Sequence, residues 1–331
     1  MTDARYDVLA IGNAIVDVIS DTTDTFIAAE GLTKGGMQLI DTARASQLYD
    51  AMGPAREISG GSAANTLAGL AALGRKCAFI GQVADDQLGE VFAHDIRAAG
   101  IDFDVPARTE HPPTARCLIL VTPDAQRTMN TFLGASQYLA APLIDQALIE
   151  SAAILYLEGY LWDPEEPRAA MRAAIGHARA AGRKVAFTLS DAFVIDRHRD
   201  DFLALINEGM IDILFANETE ICSLNQTEDF EAAVAISAAN VPLLVVTKGE
   251  HGAIAVQDGT RYTVAAQPAA RLVDTTGAGD LFAAGVLAGL AEGRDITACL
   301  TTGAVCAAEI ISHYGARPEA DINALVAAQL G

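Results

Sequence analysis

The sequence predicts an α/β protein in which a mainly parallel β-sheet is covered by helices on both faces and a small β lid lies over one edge. Three observations predict it. Short apolar runs rich in β-branched residues recur along the chain, longer helical patterns lie between them, and two stretches, Val16 to Ser59 and Val105 to Tyr138, break the alternation. The 331 residues, 51% of them hydrophobic, suffice for one large domain with an appendage or for two ordinary ones.

Taken in order, the strand-like runs are Tyr6 to Ile11, Ala78 to Val83, Ile154 to Leu157, Val185 to Leu189, Ile211 to Phe215 and Leu243 to Val246. Helical patterns fall at Ala63 to Leu73, Leu88 to Ala99, Glu166 to Ala181 and Glu231 to Ala239. Cys117 to Val121 reads as an antiparallel strand entering a turn at Pro123-Asp124. Residues 1–12, 60–104 and 139–331 are therefore expected to form the large domain, and residues 13–59 and 105–138 the lid. Ligands of such open sheets sit at the carboxyl ends of the strands.

Composition narrows the function. Lys and Arg number 22 against 43 Asp and Glu, a formal net charge of −21 that repels nucleic acid and anionic membranes. Met1-Thr2-Asp3-Ala4-Arg5 lacks a basic stretch leading into an apolar core, and no apolar run is long enough to span a bilayer, so a cytoplasmic protein is expected. Five widely spaced cysteines without a Cys-x-x-Cys pair argue against a disulfide framework and a structural zinc site.

The segment Asp274-Thr275-Thr276-Gly277-Ala278-Gly279-Asp280 runs straight into the small apolar helix Leu281 to Ala291. Glycines there let the backbone approach a ligand, and free amides at a helix start favour an anion, which describes a phosphate cradle. Asp280 suits a base that takes a proton from a hydroxyl beside the phosphate; its plainer alternative is a helix cap. Gly60-Gly61 opens a second helix that carries Asn65, a polar side chain needing partners in an apolar setting, and the paired glycines are a natural hinge. Asn217-Glu218-Thr219-Glu220 ends a strand and reads either as a capped helix start or as an organiser of the water shell of Mg²⁺. Thr247-Lys248-Gly249-Glu250-His251-Gly252 reads either as a hairpin or as a loop around a nucleotide. There is no P-loop, no complete dinucleotide fingerprint after Gly12, no nucleophile elbow and no His-Glu-x-x-His.

In order and spacing these four segments resemble the ribokinase-like (PfkB) family over nearly the whole chain. Gly12-Asn13-Ala14-Ile15-Val16-Asp17, Phe187-Thr188-Leu189-Ser190-Asp191-Ala192-Phe193 and Leu214 to Glu220 are similar to adenosine kinases within it. The resemblance implies a three-layer αβα, Rossmann-like domain with a β lid, and an ATP-dependent kinase acting on a nucleoside or sugar, as a monomer or homodimer. It implies that Asp17 holds ribose hydroxyls with Asn13, Gln38, Gly60, Gly61 and Asn65 beside it, and that Tyr160 and Phe193, with Leu161 and Trp162, flank a base. Gly277, Ala278 and Gly279 would form the anion hole, Asp280 the base, and Arg127 a charge on the transferred phosphoryl group. Asn217 and Glu220 would organise Mg²⁺, Thr247, Lys248, Gly249 and Gly252 would flank ATP, and Asp274 and Thr276 are candidate K⁺ contacts. Thr276 stands where eukaryotic adenosine kinases tend to carry Asn, and Ala14 where Pro is common, which leaves a free sugar as the alternative acceptor.

Overall fold

The computed structural model describes residues 4–124 and 126–331. Its larger sheet runs from edge to edge as β14 (Thr260–Val264), β13 (Ala253–Gln257), β12 (Leu243–Thr247), β11 (Ile213–Asn217), β10 (Lys184–Thr188), β9 (Ala152–Glu158), β1 (Tyr6–Ile11), β5 (Cys77–Ile80) and β6 (Ile101–Asp102). β12 to β6 in this order pair in parallel, while β13 and β14 add an antiparallel hairpin at one edge.

Both faces of this sheet are covered, which is why its strands are apolar without alternation. Along β1, Val8 and Ala10 enter one core and Leu9 and Ile11 the other. The first core is closed by α3 (Ser62–Ala72), α4 (Gln87–Ala98), α10 (Ala278–Ala291) and α11 (Ile296–Ile310). The second is closed by α6 (Glu165–Ala180), α7 (Ala192–Asn207), α8 (Glu218–Asn225) and α9 (Phe230–Ala238). Part of the acidic excess serves these helices directly: the side chains of Asp86, Asp191, Asp229 and Asp295 accept from first-turn amides of α4, α7, α9 and α11. The short α5 (Gln146–Glu150) precedes β9, and α12 (Ile322–Leu330) packs on α11.

The smaller sheet has the order β3 (Met37–Leu39), β8 (Arg127–Phe132), β7 (Ala115–Val121), β2 (Ile15–Asp21), β4 (Ala55–Gly60). β7 is antiparallel to β8, as the turn at Pro123-Asp124 predicts, although Ala125 of that turn lies outside the described residues. It is also parallel to β2, a pairing of distant segments that leaves no turn signal in sequence. The stretch from 16 to 59, expected to be β, also holds α1 (Asp24–Ala29) and α2 (Thr42–Ala51), each short and capped by Thr23 or Asp41.

Observed boundaries of the expected strands and helices fall within three residues of the sequence expectation, whereas α7, α11 and α12 were not among the helical patterns expected. Leu161 and Trp162, expected beside a ligand, are fully buried instead. Trp162 meets Phe187 and Phe202 edge-on and donates from Nε1 to Asp201 at 2.9 Å, so its aromatic surface is consumed by the second core. Among the described residues no helix is long and apolar enough to cross a membrane.

α10 and α11 approach so closely that small residues are obligatory at their crossing. A Cβ added to Gly285 would stand 2.6 Å from the Cα and N of Gly303. Gly285→Ala should therefore destabilise by about 1–3 kcal/mol through overpacking, read as a lowered denaturant midpoint; an unchanged midpoint would mean that the two helices can part at no cost.

Candidate active site

The site is built where β1, β9 and α3 converge. β9 ends in Glu158, a carboxylate with no exposed surface. Its Oε1 accepts from the backbone N and the Nδ2 of Asn13, and its Oε2 from the amide of Ala63, each at 2.7 Å. Burial pushes Glu158 up to about 7, and the three donors oppose that push. The same packing excludes a side chain at position 12, where a Cβ would lie 2.5 Å from Glu158 Oε2. Asn13 is fully engaged: its Oδ1 also accepts from Ser136 Oγ at 2.8 Å.

The expected diglycine hinge joins β4 to α3. Gly61 caps α3 with φ of 99°, a left-handed value that glycine alone takes readily, and any Cβ there would strike the Asn13 carbonyl. Gly60, paired with Ile15 across the β2–β4 ladder, leaves room for the carboxylate of Asp17, two residues further along β2; a Cβ would lie 2.5 Å from Asp17 Oδ2.

α3 then reaches across to α10. Asp280 sits in the first turn of α10 and accepts from Ser62 Oγ at 2.6 Å and from Asn65 Nδ2 at 3.0 Å. Desolvation raises its pKa, and Ser62, Asn65 and the charge of Arg317 lower it. Gly277 caps α10 with φ of 80°, lying against Ala316, whereas a Cβ on Gly279 would meet nothing. Packing thus requires a glycine at 277 and leaves the backbone at 279 open to approach, beside the positive end of a 14-residue helix. Asn65 Oδ1 is buried without a hydrogen-bond partner among the described residues.

Asp17 and Asn65 open onto a cavity of about 250 Å³, whose other walls include Ile19, Ile58, Ser59 and Arg317. Packing around the Asp17 carboxyl pushes it up to about 6 against the pull of Arg317 and Arg127. Arg127, on β8, places Nη1 2.8 Å from Asp274 Oδ2 and its guanidinium 5.2 Å from the Tyr314 ring centre. This is an ion pair out of line for a hydrogen bond: none of the three guanidinium nitrogens has a hydrogen-bond partner among the described residues.

The nucleotide-side residues form the capped helix start and the hairpin that their sequence allows. Asn217 and Glu220 form a reciprocal capping box at the start of α8, with Asn217 Oδ1 accepting from the Glu220 amide at 2.8 Å and Glu220 Oε2 accepting from the Asn217 amide at 3.0 Å. Burial pushes Glu220 up to about 7. Thr247 pairs with Asn217 across β11 and β12, and Lys248 to Gly252 close the hairpin into β13, with Lys248 N donating to Gly252 O at 2.7 Å. Among the described residues no three His, Cys, Asp or Glu side chains converge to hold a metal. The expected K⁺ contacts do not fit a cation in this arrangement. Asp274 Oδ1 accepts from the Thr276 amide and Oδ2 from the Gly315 amide, and the Arg127 guanidinium stands against the same carboxylate.

Three expected acceptor contacts fall elsewhere. Gln38 donates to Asn130 at 2.8 Å, Phe193 is 70% exposed at the start of α7, and Tyr160 is half-buried; none lines the Asp17 cavity. Conversely, Glu158, Ser62 and Arg317 were not assigned from sequence. A glutamate closing the apolar run Ala152–Glu158 was the available signal for the first. Arg317 sits in a connection without periodicity and gave none.

Residues 8–323 match the family model described as pfkB family carbohydrate kinase. Adenosine kinase from Sinorhizobium meliloti is 46% identical with a TM-score of 0.91, the match covering 99% of this chain and 100% of that one. A probable sugar kinase from Rhizobium etli is 45% identical with a TM-score of 0.92, covering 98% of each chain. Adenosine kinase 2 of Arabidopsis thaliana is 26% identical over 95% of this chain and 96% of its own length.

Glu158→Gln keeps the shape but turns an NH₂ toward either the two Asn13 donors or the Ala63 amide. We expect a loss of about 1–3 kcal/mol in stability, the usual cost of buried groups left unpaired, seen as a lower thermal midpoint. Wild-type stability in this variant would show that the donors do not depend on the carboxylate.

Proposed function

The chain belongs to the pfkB family of carbohydrate kinases, and we propose that within it this protein moves the γ-phosphate of ATP onto the 5′-hydroxyl of a nucleoside, adenosine foremost, in the cytoplasm. The observation that carries the reading is the Asp280 carboxylate held by Ser62 and Asn65 at the head of α10, next to a buried Asn65 Oδ1 that lacks a donor. A second hydroxyl of the acceptor, beside the one that reacts, supplies such a donor. Asp280 takes the hydroxyl proton as the acceptor oxygen bonds to the γ-phosphorus, the bond to the β-phosphate oxygen breaks, and ADP leaves with the bonding pair. The Gly277 to Gly279 loop, open at Gly279, receives the charge on the transferred group. The unpartnered donors of Arg127 suit the same phosphoryl oxygens.

The acceptor lies in the Asp17 cavity, with Asp17 and Asn65 at its polar end. Ile19 and Ile58 form an apolar wall beyond, a division that suits a nucleoside, polar at the ribose and apolar at the base. The likeness to adenosine kinase from Sinorhizobium meliloti supports this acceptor. A free sugar is the second reading, favoured because Phe193 stands away from the cavity and no aromatic pair closes on a base. The smaller sheet serves as a lid that swings about Gly60-Gly61. ATP lies along Thr247 to Gly252. Mg²⁺ would arrive with the phosphates, where it neutralises their charge, and Glu220 with Asn217 would orient its waters.

Asp280→Asn should retain ATP binding and lose roughly 10²–10⁴ in kcat, the span for removal of a general base; near-normal turnover would reduce Asp280 to a cap. Both Asp280 and Asp17 act as carboxylates, so protonation disables the site as pH falls. The acidic limb of kcat/KM should sit close to pH 6, where Asp17 titrates (about 6), and a flat profile down to well below that pH would remove Asp17 from acceptor binding. Adenosine should exceed ribose and fructose in kcat/KM, and a tenfold preference for a free sugar, about 1.4 kcal/mol, transfers the assignment to the sugar reading.

A further inference from the structure

The eleven-residue connection between α11 and α12, residues 311–321, is drawn across the site. Its start holds the approach to the glycine loop, with the amides of Val273 and Asp274 donating to Ile311 O at 2.9 and 3.3 Å. Both of its ends are pinned to one carboxylate: Glu309 Oε1 accepts from His313 Nε2 at 3.0 Å and from the amides of Glu319 and Ala320 at 3.0 and 2.9 Å. Between the pins, Ala316 packs on Gly277 and Arg317 turns inward.

The contacts of Arg317 straddle the diglycine. Nη2 donates to Ser59 O at 2.7 Å and Ser59 Oγ at 3.0 Å, on the β4 side, and Nη1 donates to Ala64 O at 2.8 Å, in the first turn of α3. One rigid planar fork therefore spans Gly60-Gly61, the junction between the two sheets. The Ser59 amide is held in turn by Asp95 of α4 at 3.1 Å. The helix fixed at Ala64 is the one whose Ser62 and Asn65 hold Asp280.

We propose that Arg317 is a positioning residue whose fork locks the diglycine junction, and with it the first turn of α3 that holds Asp280, in the observed geometry. This rests on the kinase reading with Asp280 as base. The charge of Arg317 acts on both Asp17 and Asp280, in a neighbourhood that is otherwise acidic or neutral except for Arg127. Asp280, Asp274, Arg127 and Arg317 act electrostatically on Asp17, Asp280 acts on Glu158, Tyr156 and Tyr160, and Asp17, Asp280 and Asp95 act on Arg317. Arg317 is itself lowered by desolvation to about 10 and so stays charged at neutral pH.

Two variants separate charge from tether. Arg317→Gln removes the charge; the acidic limb of kcat/KM should move up by about one pH unit, the size that an opposite charge close by confers. Arg317→Lys keeps the charge but cannot fork across both carbonyls, so the limb should stay while acceptor KM rises several-fold. Hydrogen exchange over residues 59–65 should quicken in both, a readout that needs no turnover. A Gln variant with the wild-type limb and KM, whatever its melting temperature, makes Arg317 a merely structural arginine and overturns the proposal. If the Gln variant does not fold, the Lys variant decides, since unchanged KM and unchanged exchange overturn it equally. Absence of phosphotransfer by the wild type would instead count against the kinase reading, and the exchange data would still judge the tether.

Discussion

A carboxylate without exposed surface must be surrounded by donors, and Glu158 meets that demand by drawing the turn after β1 and the first turn of α3 onto the end of β9. Three parts of the chain that are distant in sequence are thereby held at one point of the sheet. The rest of the site follows from this fixation. With α3 anchored, Ser62 and Asn65 can reach Asp280. With the turn after β1 anchored, β2 leaves at an angle that brings Asp17 beside Gly60. Gly12 and Gly61 are glycines because the structure gathered around Glu158 leaves no room for a Cβ.

The electrostatics are arranged in layers. A chain with a formal charge of −21 does not attract a nucleotide at long range. The positive field is local and comes from two inward-turned arginines, Arg127 and Arg317, together with the start of α10. Each arginine lies near carboxylates that oppose its charge, Asp274 for the first and Asp17 and Asp280 for the second. An anion brought to the glycine loop thus meets cations held in place beforehand, whose ordering does not have to occur at the moment of binding.

Much of this was legible in the sequence because it rests on local physics. A strand buried on both faces must be uniformly apolar, so β1, β9, β11 and β12 announce themselves. Glycines followed by a small-residue helix announce the loop at 277 to 279. What was not legible depends on contacts between distant segments. α11 is as apolar and small as a strand run, and its helicity is settled by its packing on α10. The aromatic run Tyr160 to Trp162 follows a strand end as a ligand platform would, yet Trp162 turns into the core because Phe187 and Phe202 leave a place for it there. Asn217-x-x-Glu220 has two physically sound uses, and the capping box shows that the local one is always available whatever the motif does for a ligand.

The separation in sequence between the partners at the catalytic aspartate has a consequence for synthesis of the chain. Ser62 and Asp280 are 218 residues apart, and Arg317 and Ser59 are 258 apart. On the ribosome, Asp17, Ser62 and Asn65 emerge long before α10, and wait for the carboxylate and for the 314–319 wall of the cavity until nearly the whole chain has been translated. A growing or prematurely ended chain would carry neither the base nor a closed acceptor cavity. Competence for phosphoryl transfer would therefore arrive in a single late step, so that incomplete copies neither consume ATP nor trap product.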